Sequence, residues 1–117
     1  MRYLFLAYGD EQQWGALPAR EQSYLESACR THDEMLRQKG YLLTVENLRG
    51  NVTSTLVQIQ DGRLCLTDGP LATAQTQLIA FYIINARDLN EAIRVASSMP
   101  QTRIGPIEVR PLNTREI

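Results

Sequence analysis

The chain has 117 residues, 44% of them hydrophobic and 21% charged, with twelve basic against thirteen acidic side chains for a net charge of −1. That length suits one domain over residues 1–117, with a folded radius of gyration of roughly 13 Å and a core that needs neither disulfide nor metal. The charge is balanced and evenly spread, so no field draws in a polyanion; nucleic acid and anionic membrane are excluded as expected partners.

Arg2 to Tyr8 is aromatic and aliphatic and predicts a strand. Its apolar run ends at Gly9-Asp10, too short for a signal peptide, and no later run approaches a membrane span. A cytoplasmic protein is therefore expected. Gly9 to Leu17 reads as a polar loop holding the only tryptophan, Trp14. A helix should begin near Pro18, with Glu21 in its first turn. Leu25, Ala28, Cys29, His32, Met35 and Leu36 recur at spacings of three and four, and Lys39-Gly40 supplies the stop.

Tyr41 to Leu48 predicts a strand, Arg49-Gly50-Asn51 a turn, and Thr53 to Gln60 another strand. Asp61-Gly62 is a two-residue hairpin turn of type I′, and Arg63 to Thr67 returns from it. Asp68-Gly69-Pro70 ends that strand sharply, and Leu71 to Gln77 follows as a loop. Leu78 to Ala86 is the strongest strand of the chain. Asp88-Leu89-Asn90-Glu91 has capping-box spacing and opens a second helix to about Met99. After Pro100, Ile104 to Leu112 predicts a last strand with Glu108 and Arg110 on its polar side.

The order β-α-β, hairpin, β-α-β predicts an α+β, ferredoxin-like antiparallel sheet with an inserted hairpin. Helices in that plan cover one face. Yet both sides of the Leu78–Ala86 strand are apolar, and so are both sides of the first strand: Tyr3, Phe5 and Ala7 on one, Leu4, Leu6 and Tyr8 on the other. A half-solvated strand alternates apolar with polar, so a second cover is needed. The economical cover is the same face of a second copy, a two-fold homodimer. The competing cover is the hairpin and the 9–17 loop folded over their own sheet.

Candidate chemistry is sparse. Cys29 and Cys65 have no metal-ligand spacing, so no metal is expected, and no nucleotide, phosphate or standard hydrolase motif occurs. No cofactor is implied. Asp68, held by Gly69 and Pro70 at a strand end, is either a general base or a cap on its own turn. His32, the only imidazole, is either a hydrogen-bonded core residue or a proton shuttle, and the second role requires Asp68 within roughly 3 Å. Arg103 belongs to a C-terminal basic set with Arg110 and Arg115 and suits an acidic ligand or an ion pair with Glu108. Tyr8 and Tyr82 have hydroxyls able to line a pocket, and Trp14 can close over it.

Five stretches resemble the YCII-related proteins of the DGPF type. They are Tyr3-Leu4-Phe5-Leu6-Ala7-Tyr8-Gly9-Asp10-Glu11, Asp61-Gly62-Arg63, Thr67-Asp68-Gly69-Pro70, Ala86-Arg87-Asp88-Leu89-Asn90-Glu91-Ala92 and Glu108-Val109-Arg110-Pro111, in the family's order. The resemblance implies a dimeric α+β barrel-like assembly of ferredoxin-like subunits. The motif departs at Leu71, where the family has Phe. Ala72-Thr73-Ala74-Gln75-Thr76-Gln77 lacks the Glu and Lys residues usual after it. The histidine of better-studied relatives aligns near Cys29 and does not match His32. Three readings of function stand open. One is a small-molecule-binding homodimer, its pocket between helices and sheet lined by Asp68, His32, Tyr8 and Arg103, performing cofactor-free elimination or isomerisation. The alternative is a non-catalytic ligand-binding or regulatory dimer linked to sigma-factor control, or a scaffold that only dimerises.

Overall fold

Alternating burial along the two central strands decides the architecture. The computed structural model describes residues 1–50 and 53–113. Strand β1 (Arg2–Asp10) buries Tyr3, Phe5 and Ala7 and leaves Leu4, Leu6 and Tyr8 half-buried. Helix α1 (Glu11–Ala16) follows, then α2 (Ala19–Gln38), β2 (Leu42–Asn47) and the hairpin β3 (Thr55–Gln60) and β4 (Arg63–Asp68). Strand β5 (Thr76–Asn85), α3 (Leu89–Ser98), a 3-10 turn (Pro100–Arg103) and β6 (Ile107–Pro111) complete the order. The main sheet runs β2-β5-β1-β6, with every pairing antiparallel, which is the ferredoxin-like plan.

Local chemistry explains most boundaries. Pro18 and Lys39 flank α2, and Gly40 takes the left-handed φ of 83° that ends the helix. Asp61 (φ 51°) and Gly62 (φ 76°) make the type I′ turn of the hairpin. Asp88 Oδ1 accepts from the Glu91 amide, while Glu91 reaches back to the Arg87 amide and guanidinium, each at 2.9 Å.

Three expectations need correction. Gly9–Leu17 is not all loop: the Asp10 carboxylate accepts from the Gln12 and Gln13 amides and nucleates α1. The last strand starts at Ile107, because Pro100 opens a 3-10 turn whose Ile104 amide bonds the Gln101 carbonyl. Strand β5 begins at Thr76 because Gly9 and Asp10 pair with Gln77 and Thr76. Of the turn at Arg49-Gly50-Asn51, Asn51 lies outside the described residues, as does Arg115.

Phe5, Ile84 and Met99 are the largest fully buried side chains. They join Leu36 of α2 and Ala92, Val95 and Ala96 of α3 in one core, each large side chain contributing about 2–3 kcal/mol. The helices therefore cover the face that carries Tyr3, Phe5, Ala7, Ala80, Tyr82 and Ile84. Leu4, Leu6, Phe81 and Ile83 on the other face remain half-buried, with Glu108 and Arg110 beside them. The hairpin forms its own two-stranded sheet, with no strand hydrogen-bonded into the main one.

The result is a plate of 48 × 45 × 19 Å with a radius of gyration of 16.4 Å, well above the expected compact value. Its accessible surface of 8452 Å² exceeds the roughly 6,500 Å² of a compact monomer of this mass.

Candidate functional site

A cleft of about 490 Å³ opens where the hairpin joins the main sheet. Leu48, Leu56, Leu71 and Leu78 give it apolar walls, and Arg49, Gln77 and Tyr8 supply polar groups. A register shift between Ala7 and Tyr8 sets Tyr8 opposite Leu78, so the phenol reaches the cleft from the open-face side of β1. The Tyr8 hydroxyl donates to Glu108 Oε1 at 2.9 Å. That bond to a carboxylate, with slight desolvation, pushes the Tyr8 phenol above its ordinary value. Gln77 is buried and its amide donates to the Ala72 and Ala74 carbonyls at 2.8 and 2.6 Å, which fixes the loop after Pro70 against the cleft. Pro70 lines the cleft as well, and Gly69 (φ 102°) bonds the Ser54 carbonyl at 2.7 Å to close the hairpin root.

Other expected site residues lie elsewhere, so Asp68, His32, Tyr8 and Arg103 are not brought together between the helix layer and the sheet. Tyr82, 2% exposed, faces the helices, where Gln101 Nε2 donates to its hydroxyl. His32 also belongs to the helix layer. Its Nε2 is 3.1 Å from Ser98 Oγ, and that hydroxyl spends its own proton on the Val95 carbonyl at 2.7 Å. His32 Nε2–H is therefore the donor, and Nδ1 is buried without a partner among the described residues. Burial, aided by the Lys39 charge, pushes the imidazole below its ordinary value. Asp68 is exposed on the hairpin, opposite Thr55, while His32 Nε2 is taken up by Ser98, so the contact that a shuttle role for His32 requires does not form. Arg103 is exposed in the 3-10 turn, and Glu108 is engaged by Tyr8 rather than by an arginine.

Two features escaped the sequence reading. Glu108 reads only as a polar residue of an edge strand, although its alternation with Val109 places it on the Tyr8 side. Asp33 is the second. Its Oδ1 and Gln101 Oε1 are buried without partners among the described residues, and burial raises the carboxyl to about 6 despite the Arg37 charge. The signal was the spacing of four from Cys29. Burial, together with the charge of Asp33, raises the Tyr82 phenol in turn. No group of three or more His, Cys, Asp or Glu among the described residues is placed to hold a metal ion, and no described helix is long and apolar enough to cross a membrane.

Comparison with known proteins now bears on the site. Residues 1–114 match the profile of the YCII-related domain. An uncharacterised protein of Rhizobium meliloti is 28% identical over 114 residues, covering 96% of this chain and 92% of its own length. Among solved structures, 5-chloro-2-hydroxyhydroquinone dehydrochlorinase of Burkholderia phenoliruptrix, in complex with 2,5-dihydroxybenzoquinone, superposes with a TM-score of 0.59 at 12% identity. The match covers 97% of this chain and 94% of that one. That likeness is one of fold.

Proposed function

Because the chain belongs to the YCII-related family, we propose that it binds a small oxygenated organic molecule in the cleft at the hairpin root and moves a proton on it without a cofactor. The observation that carries this reading is the Tyr8 hydroxyl, which lines the cleft while bonded to the Glu108 carboxylate at 2.9 Å. Leucine walls suit a flat, largely apolar ring, and the Arg49 guanidinium suits an acidic oxygen on it. A proton leaving carbon passes to the Tyr8 oxygen as the Tyr8 proton passes to Glu108, which is the first half of an elimination or an isomerisation. The dehydrochlorinase bound to a dihydroxybenzoquinone gives the chemical class to try first. Asp68 stands outside this step, since its pairing with Thr55 sets it on the hairpin face opposite to Leu56 and the cleft. The transcription-linked alternative draws no support from the cleft or the relatives.

The assembly belongs to the same reading: two copies stack through the open sheet face, Leu4, Leu6, Phe81 and Ile83 against their equivalents.

The ligand reading is tested by calorimetric titration of 2,5-dihydroxybenzoquinone and a panel of hydroxylated benzenes. Tyr8→Phe should weaken binding at least tenfold while leaving the melting temperature within a few degrees, and Tyr82→Phe should leave affinity unchanged. Loss of binding in Tyr82→Phe with Tyr8→Phe unaffected would move the site to the helix layer and sink the proposal.

A further inference from the structure

Between Gly69 and Thr76 the chain runs as a strap without regular secondary structure, and its Pro70, Leu71 and Ala72 line the cleft. Both ends are fixed. The Gly69 amide donates to the Ser54 carbonyl at 2.7 Å, and Thr76 pairs with Asp10 in the main sheet. The middle is held by one buried side chain. Gln77, 8% exposed, donates from its side-chain amide to carbonyls two residues apart, Ala72 at 2.8 Å and Ala74 at 2.6 Å. A further tie, from Gln75 Nε2 to Gln12 Oε1 at 3.1 Å, is exposed and holds less. Pinned at 72 and 74, the strap presents Leu71, its one long apolar side chain, at the cleft with 78% of its surface in water. Leu48 is 43% exposed and Leu56 and Leu78 are half-buried, so Leu71 is the leucine of the wall with the most surface still to cover. A lone exposed leucine needs no explanation. One fixed at the wall of an apolar cleft by a buried amide does.

We propose that Leu71 selects for a ligand carrying a hydrocarbon arm on its oxygenated ring, and that Gln77 is the positioning residue that holds Leu71 at the wall. The inference rests on the ligand reading above and narrows it. With the oxygens taken by Tyr8 and Arg49, the arm is left to the leucines, and covering Leu71 removes apolar surface of ligand and protein from water together. An apolar side chain at position 77 would deprive the Ala72 and Ala74 carbonyls of the donor that holds them, and the strap could then carry Leu71 off the wall.

Calorimetric titration of catechol and its para-methyl, para-ethyl and para-propyl derivatives tests this. In the wild type each added carbon should tighten binding about threefold. Leu71→Ala should flatten the series, weakening the propyl member at least tenfold and catechol itself no more than threefold. Gln77→Met should flatten it likewise and speed hydrogen exchange of the 71–75 amides at least tenfold, whereas Gln75→Ala should do neither. A series equally steep in wild type and Leu71→Ala removes Leu71 as the selector and leaves the ligand reading standing, as does a flat series in a wild type that binds catechol. If no catechol binds the wild type, the ligand reading falls and the selection with it. Unaltered exchange and an unaltered series in Gln77→Met overturn the pin. Gln77 is buried, so circular dichroism checks the fold of that variant, and the wild type supplies a measurement without substitution. At saturation the 71–75 amides should gain more protection from para-propylcatechol than from catechol, and equal protection overturns the proposal.

Discussion

Asp33 sits where solvation changes most steeply, at the edge of the α2 stripe with one carboxylate oxygen buried and unpartnered among the described residues. Its carboxyl rises from an ordinary 3.8 to about 6, chiefly through burial. A raised acid favours the folded state fully below pH 3.8, and that contribution is lost as pH rises through about 6. The group is about half exposed, so the cost of ionising it is about 1 kcal/mol after allowance for solvent screening. His32 slopes the other way, because a lowered imidazole favours the fold above its ordinary value of 6.5 and loses that as pH falls. Comparing variant with wild type cancels the His32 slope. Asp33→Asn should then gain stability over wild type between pH 4.5 and pH 7.5, reaching about 1 kcal/mol in urea denaturation. A difference that stays flat across that range would mean the carboxyl is hydrated after all.

Between elements, the closest approach is the turn before β6 against β1. A Cβ on Gly105 would overlap the Tyr8 carbonyl oxygen and come within 2.9 Å of its carbon, while the Tyr8 amide bonds the Pro106 carbonyl at 3.0 Å. Gly105→Ala should cost about 2–4 kcal/mol by forcing the two segments apart. The same shift displaces Tyr8 from Glu108, so affinity for any cleft ligand should fall with stability. Gly15, in α1 with nothing near its missing Cβ, is the control, and Gly15→Ala should stabilise by about 0.5–1 kcal/mol. Equal behaviour of the two variants would refute the close approach. What was legible in the residues follows the same division. Helix α2, the Asp61-Gly62 turn and the Asp88–Glu91 cap were readable because each depends on neighbours within four positions. Helix α1 was missed because Trp14 and Gly15 are weak helix formers and the Asp10 cap is its main signal. The two apolar faces of β1 and β5 were also readable, whereas the placing of Tyr8 and Tyr82 on opposite faces of the sheet was not, because it depends on the pairing register between the two strands. Which face the helices take, and that His32 spends its Nε2–H on Ser98, are tertiary facts with no local signature. The cleft itself joins residues 8, 49, 56, 70 and 78, and no spacing rule connects them.

A plate 19 Å thick with apolar residues on both sides of its central strands has one face that its own helices leave uncovered, the face proposed above to take a second copy. How two such copies would meet decides which surface is covered, and the shape of the pair answers that without any ligand. Face-to-face stacking separates the two centres by about one plate thickness, which raises the radius of gyration from 16.4 Å for one protomer to roughly 19 Å, with sheets at the spacing of a sandwich. Pairing along a sheet edge separates the centres by a plate width and gives roughly 28 Å instead. The edges argue against the second geometry. β6 ends at Pro111, which has no amide to offer a neighbour. Small-angle scattering at several concentrations should therefore extrapolate to about 19 Å for the dimer. A value near 28 Å would leave the open face wet and overturn the stacked assembly.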